Sequence, residues 1–144
     1  MKSGSTVLAL NDRKEVYLVK EYKYGIERES IELMSGGLDF SESPLEGAKR
    51  ELKEQLGLEA TSWVDLGYVD PFTTVIKSPN YMFLALGVKE GESCPEEGER
   101  IKAIKVPIQK AIDMVMRSEI THSASCVCIL KTANYLRKNR IKLK

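Results

Sequence analysis

The sequence predicts an α/β fold, an α/β/α sandwich in which a mixed β-sheet lies between helices. Three observations predict it. Short apolar or alternating stretches run through the chain, one capped amphipathic helix interrupts them, and two helical stretches close it. At 144 residues the chain is long enough for one domain with a proper core and too short for two ordinary ones. A single domain over residues 1–144 is the expectation, with no repeat, low-complexity tract or internal linker.

Taken in order, the first four residues carry no pattern. Thr6–Leu10 and Glu15–Tyr22 read as strands joined by the polar turn Asn11-Asp12-Arg13-Lys14, a hairpin. Ile31-Glu32-Leu33 is a short strand feeding Gly36 and Gly37. The next helix has both ends written into the sequence. Ser43 serves as N-cap, Pro44 takes the first helical position, and Glu46 completes a capping box. Gly57 is the C-terminal stop. Between them Leu45, Ala48, Leu52 and Leu56 recur at helical spacing and make one apolar face. Trp63–Val69 is a strand closed by Asp70-Pro71, Phe72–Pro79 is a Thr- and Ser-rich loop, and Tyr81–Val88 is an apolar strand. Lys89–Arg100, with Gly91, Pro95, Gly98 and five glutamates, reads as an acidic surface loop. Ile101–Val106 alternates like a half-buried strand. Pro107 opens a helix to about Arg117, and a last helix runs from about Ser123 to Arg137. The tail Arg137–Lys144, with five basic residues in eight, reads as a solvated terminus.

Composition narrows the function classes. The formal charge is +1, which makes no global electrostatic case for nucleic acid or membrane binding. No apolar run approaches a membrane span, and the N-terminus lacks the apolar region of a signal peptide. Cys94, Cys126 and Cys128 form no metal-binding spacing, and their odd number points to reduced thiols and a cytoplasmic location. The lone His122 has no ligand-type neighbours in sequence and reads as a surface or helix-start residue.

Chemistry concentrates on the polar side of the capped helix. Glu51, Glu54 and Gln55 stand at i, i+3 and i+4 and project from one patch. Hard oxygen donors so grouped suit Mg²⁺ or Mn²⁺, which bridge carboxylates to substrate phosphates. The glycines upstream let backbone approach closely. The competing account is a solvated charged face on which Arg50 pairs with Glu46 or Glu54.

The wider spacing resembles the Nudix box. That motif has a Gly, five residues, a Glu, seven residues, then Arg-Glu-apolar-x-Glu-Glu-x-Gly-apolar; Gly36, Glu42, Arg50, Glu51, Leu52, Glu54, Gly57 and Leu58 fall in register. Gln55 departs from it, standing where the last Glu belongs. Within the superfamily the chain is most similar to the ADP-ribose pyrophosphatases. Glu21-Tyr22-Lys23 resembles their Gln-Tyr-Arg, and Glu32-Leu33-Met34-Ser35-Gly36 resembles Glu-Leu-Pro-Ala-Gly. Pro71 matches a proline placed after the box, and Glu97-Gly98-Glu99-Arg100-Ile101 matches a Glu-x-Glu-x-Ile loop. Ser118-Glu119-Ile120 and Ser123-Ala124-Ser125 resemble the family's last helix pair.

The resemblance implies a Nudix-type sandwich and a role for each matching residue. Glu51 and Glu54 would be Mg²⁺ ligands, with the Ser35 carbonyl and the Gln55 amide oxygen completing the cluster and Glu99 adding a ligand. Glu97 would be general base on the attacking water, Glu51, Glu54 and Glu97 forming the catalytic set. Glu42 and Arg50 would hold loop against helix, and Lys23 would meet the diphosphate. The implied reaction is metal-dependent hydrolysis of the pyrophosphate in a nucleoside diphosphate linked to another moiety. ADP-ribose, giving AMP and ribose 5-phosphate, is the substrate of choice, with another nucleotide sugar or a dinucleotide as the variant. The alternative from a different class is a Nudix-fold binding or regulatory domain whose catalysis Gln55 has weakened. Lys23 lacks the planar fork of the Arg it replaces. Longer family members carry an N-terminal region that helps them dimerise and bind adenine, and this chain begins almost at the catalytic domain. A homodimer is therefore expected to be weak or to use another face, such as an apolar edge strand near Thr6–Leu10.

Overall fold

The computed structural model of the protein describes residues 3–91 and 102–139. Its elements are β1 (Gly4–Leu10), β2 (Glu15–Lys23), β3 (Arg28–Glu32), β4 (Met34–Gly37), α1 (Pro44–Leu56), β5 (Leu58–Glu59) and β6 (Ser62–Val69). There follow β7 (Asn80–Leu86), β8 (Lys89–Glu90), β9 (Lys102–Pro107), α2 (Ile108–Met116) and α3 (Ser123–Lys138). The main sheet runs β3-β2-β1-β7-β6, with β4 also pairing β1 and β9 also pairing β2. It is mixed: β1 is parallel to β7 and antiparallel to β2 and β4.

Side-chain alternation along β1 explains the layers. Leu8 and Leu10 join Leu18, Met82 and Leu84 against Ile108 and Ala111 of α2 and Cys128, Ile129 and Leu136 of α3. Val7 and Ala9 face the other way, with Phe83 and Ala85, against Ala48 and Leu52 of α1. A sheet sandwiched between α1 and the α2–α3 pair is the expected architecture, and the observed one.

The edge position expected for Thr6–Leu10 is corrected. β1 lies inside the sheet, with β7 on one side and β4 and β2 on the other. Every residue from Ser5 to Leu10 is buried, as in a strand covered on both faces. The terminal strands of the order are β3 and β6. The Asn11–Lys14 turn forms as expected. Asn11 Oδ1 accepts from the amides of Arg13 (3.0 Å) and Glu15 (2.9 Å), and Lys14 takes a left-handed φ of 59°. The acidic loop is also partly corrected at its start, where Lys89–Glu90 pairs with Leu58–Glu59 as a two-stranded sheet. Tyr17 donates its hydroxyl to Glu90 Oε1 at 2.8 Å; burial, and then that bond, push the phenol up to about 12. Glu97, Glu99 and Cys94, and the tail beyond Asn139, lie outside the described residues.

The short strand expected over Ile31–Leu33 is interrupted at Leu33, between β3 and β4. The Leu33 amide donates to the buried Ser125 Oγ at 2.9 Å instead of to a neighbouring strand. Ser125 Oγ lies 2.7 Å from His122 Nδ1, which also accepts from the Ser125 amide at 3.3 Å. His122 is thus the N-cap of α3, the helix-start role its sequence position suggested. As an acceptor its imidazole must be neutral at Nδ1. Desolvation holds its pKa below the ordinary 6.5, with nearby Glu32 opposing the shift and Lys23 adding to it.

A pH dependence follows with a definite sign. Around pH 6.5 the unfolded chain binds the His122 proton more readily than the folded one, so stability is complete above that value and falls as pH drops below it. Urea unfolding between pH 5 and 8 should show this slope, and His122→Asn, which keeps a capping oxygen, should flatten it. His122→Ala should cost ~1 kcal/mol at pH 8.

Candidate functional site

The site is built on α1, whose register is set by its caps. Ser43 Oγ accepts from the Glu46 amide at 3.1 Å, and Glu46 Oε1 accepts from the Ser43 amide at 3.4 Å. Gly57 ends the helix at φ 66°, its amide bonding Lys53 O at 3.0 Å. Glu46 is therefore engaged by the cap and is not a partner of Arg50.

Arg50 is the organising side chain. Its Nε and Nη2 grip the two Glu42 oxygens at 3.0 and 2.7 Å, a bidentate pair. Nη1 donates to Glu51 Oε1 and Glu54 Oε2, both at 3.0 Å. Nη2 also reaches the Gly37 carbonyl at 3.3 Å and lies 3.7 Å from Asp39 Oδ2. Glu42 accepts a further bond from the Asp39 amide at 2.9 Å. The Arg50 bond first, then that amide, lower the Glu42 carboxyl to about 2; Glu42 in turn raises the Arg50 pKa. Gly47 makes room for the clamp, since a Cβ there would meet Leu38 and stand 3.0 Å from Glu42 Oε1.

The strand side is supplied by β4. Ser35 and Gly36 pair with Thr6 and Ser5 of β1. A Cβ on Gly36 would lie 2.5 Å from Glu51 Cδ, so a glycine is required for Glu51 to rest on the strand. Gln55 Nε2 donates to the Ser35 carbonyl at 3.2 Å and to Glu51 Oε2 at 2.6 Å. Glu51 is the inner carboxylate, 14% exposed, and Glu54 the outer one, 58% exposed.

The structure thus brings Ser35, Glu51, Glu54 and Gln55 together, with Glu42 and Arg50 holding the loop to the helix. Lys23 lies on β2, paired with Glu21 at 3.2 Å and close enough to influence His122. Spacing alone does not bring out the Gly37 and Asp39 contacts to Arg50, because the motif fixes no residue type between Gly36 and Glu42. Nor does it bring out the network in which Thr6 Oγ1 donates to Asn80 Oδ1 at 2.8 Å and lies 3.0 Å from Ser35 Oγ. Thr6 and Asn80 are far from the motif in sequence, and no local pattern marks them.

Among the described residues, no group of three His, Cys, Asp or Glu side chains is disposed to hold a metal ion. The donor set still fits Mg²⁺ or Mn²⁺ by its chemistry. Two carboxylates, a backbone carbonyl and an amide oxygen are hard donors, provided the Gln55 amide turns its oxygen inward. Four carboxylates around one guanidinium also leave the cluster negative. Two open clefts meet at Tyr81. One, of about 660 Å³, is lined by Asp39, Phe40, Glu42 and Pro44 among others; the second, of about 630 Å³, by Tyr68, Asp70, Thr74 and Lys77 among others. Glu51, Glu54 and Gln55 line neither.

Comparison with known proteins follows the same line. The NUDIX domain profile matches residues 2–123. An ADP-ribose pyrophosphatase of Mycobacterium tuberculosis (strain ATCC 25618 / H37Rv) is 30% identical over 128 residues, covering 86% of this chain and 61% of that protein. An ADP-ribose pyrophosphatase of Bacillus subtilis (strain 168) is 28% identical over 131 residues, covering 85% of this chain and 68% of the relative. The chain therefore spans about two thirds or less of the length of these relatives. The crystal structure of an ADP compounds hydrolase superposes with a TM-score of 0.84 at 20% identity, over 96% of this chain and 74% of that one. At that identity the likeness speaks for the fold. No described helix is long and apolar enough to cross a membrane.

The Glu42 shift yields an acid-stability prediction. A carboxyl lowered from 4.5 to about 2 contributes stability that is present above pH 4.5 and lost as pH falls through 2. Glu42→Gln removes the charge and keeps the shape. Denaturant curves from pH 2 to 5 should be flatter for this variant than for the parent, and parallel curves would show that the clamp contributes nothing to folding.

Proposed function

The chain belongs to the Nudix family, and on that footing we propose that it is a divalent-metal-dependent pyrophosphohydrolase. Its substrate is proposed to be a nucleoside diphosphate linked to another moiety, with ADP-ribose giving AMP and ribose 5-phosphate. One observation carries this reading: the Ser35 carbonyl, Glu51, Glu54 and Gln55 converge where β4 meets α1, with Arg50 fixing the carboxylates. The likeness to two ADP-ribose pyrophosphatases supports the substrate choice. Residues 1–144 are read as one catalytic unit, and the three thiols without metal spacing accord with a reducing, cytoplasmic setting.

In this reading Ser35, Glu51, Glu54, the Gln55 amide oxygen and Glu99 hold Mg²⁺ or Mn²⁺. The ion would neutralise the diphosphate and stabilise the leaving phosphate. Water attacks one phosphorus, the bridging P–O bond breaks, and Glu97 takes the proton from the water. Lys23 is proposed to contact the diphosphate by exchanging Glu21. Both side chains are over two-fifths exposed, so that exchange costs little. Arg50 and Glu42 are positioning residues. A second reading, a binding or regulatory domain, is favoured by one feature: Gln55 presents nitrogen, not oxygen, to Ser35 and Glu51. Formation of AMP or another phosphomonoester product from a panel of nucleoside diphosphate compounds, with and without Mg²⁺ or Mn²⁺, separates the two.

Two sets of variants test the residue roles. Divalent metal should raise the thermal midpoint by binding the native state, and Glu51→Gln should abolish both that shift and hydrolysis with an unchanged far-UV spectrum. Full activity in Glu51→Gln would remove Glu51 from the mechanism. Glu97→Gln should lower turnover by ~10²–10⁴-fold at nearly constant metal affinity. Glu99→Gln should weaken metal binding instead, and the reverse pattern would exchange the two assignments.

A further inference from the structure

Gln55 departs from the motif, and its geometry gives it a role that a carboxylate cannot fill. It lies one turn beyond Glu51 and is half-buried against β4. Its nitrogen stands 3.2 Å from the Ser35 carbonyl and 2.6 Å from Glu51 Oε2. A carbonyl and a carboxylate oxygen both accept only, so the amide nitrogen must face them. The opposite amide orientation would set a third acceptor against two. Glu51 cannot swing away by its other oxygen, which Arg50 Nη1 holds at 3.0 Å, and Gly36 lets the carboxylate lie directly on the strand.

We propose that Gln55 is an amide latch, an internal donor that ties the Ser35 carbonyl to Glu51 and frees this site from needing a cation to stay assembled. With glutamate at position 55, three acceptor oxygens would face one another, and only a cation between them would relieve the repulsion. With glutamine, two N–H bonds do so. The same latch sets the metal requirement. A divalent ion reaches Glu51 Oε2 and the Ser35 carbonyl only by displacing the amide nitrogen, so the chain binds free metal weakly while its site remains ordered. The second half of this inference rests on the metal-site reading above; the first half stands without it.

The experiment compares the parent, Gln55→Glu and Gln55→Ala in thermal melts with EDTA, then across Mn²⁺ and Mg²⁺ titrations, with free Mn²⁺ followed by electron paramagnetic resonance. The parent should melt highest in EDTA. Gln55→Glu should melt lower in EDTA, recover on adding either ion, and bind Mn²⁺ at least about tenfold more tightly. Gln55→Ala should also melt lower in EDTA, without recovery, because it supplies neither a donor nor a charge. If Gln55→Glu does not fold in EDTA, the Gln55→Ala melt decides the latch. An EDTA melt of Gln55→Ala equal to the parent's overturns the latch, and equal Mn²⁺ affinity in the parent and Gln55→Glu overturns its effect on metal. Hydrolysis is not a readout here, so an inactive parent with the expected melts would defeat the proposed function and leave the latch standing.

Discussion

The bidentate grip of Arg50 on Glu42 is the interaction on which the site depends. Seven residues lie between the two, and the side chains meet because the capping box starts α1 at Pro44 and returns the chain beside its own helix. All three guanidinium nitrogens are used. They join the loop at Glu42, the end of β4 at the Gly37 carbonyl, and the helix at Glu51 and Glu54. A lysine offers a compact ammonium and could not span this set of acceptors. Without the clamp, Asp39 and Glu42 would face Glu51 and Glu54 across one small space, and like charges would drive the loop outward.

The opposite wall is as firmly placed, by means far from the helix. β4 lies against β1, which also pairs with β2 and β7, and begins only after the chain breaks step at Leu33. That break would strand a buried amide were it not for Ser125 Oγ. The hydroxyl is held in turn by His122, so the cap of α3 and the start of the site strand share one short relay. Thr6, Ser35 and Asn80 join β4, β1 and β7 at the same end of the sheet. Ser35 and Gly36 therefore sit on scaffold rather than on a free loop, which is where a site needing sub-ångström placement should be.

Local rules made much of this legible. Ser43, Pro44, Glu46 and Gly57 mark α1 to the residue, and the spacing of Glu42, Arg50, Glu51 and Glu54 marks the cluster. Local rules also explain what was missed. Only the hairpin partner of Thr6–Leu10 is adjacent in sequence, which leaves the strand looking like an edge. Its pairing with β7 is long-range, although the unbroken run Val7-Leu8-Ala9-Leu10 is what a strand buried on both faces looks like. The Leu33 break could not be read because it depends on Ser125, 92 residues away. Spacing placed Gln55 in the cluster but could not say which end of its amide faces Ser35, since that follows from what its neighbours accept. Lys23 rests on a partial tripeptide match, and its place near His122 is not legible locally because the two are far apart in sequence.

Charge at the site bears on which functional reading is preferable. Four carboxylates surround one guanidinium, and that guanidinium is already bound by them. Such a surface repels a diphosphate, so direct anion binding there is unfavourable for an enzyme and for a binding module alike. Either reading requires a cation to bring the substrate in. Glu54 can turn to one at small cost, because an exposed ion pair of its kind is worth about 0–1 kcal/mol. Glu51 is held more tightly, by Gln55 as well as Arg50, and it is the residue that must be released. Acidic residues held in order by an amide accord with the proposed site, one that takes up metal together with the phosphates.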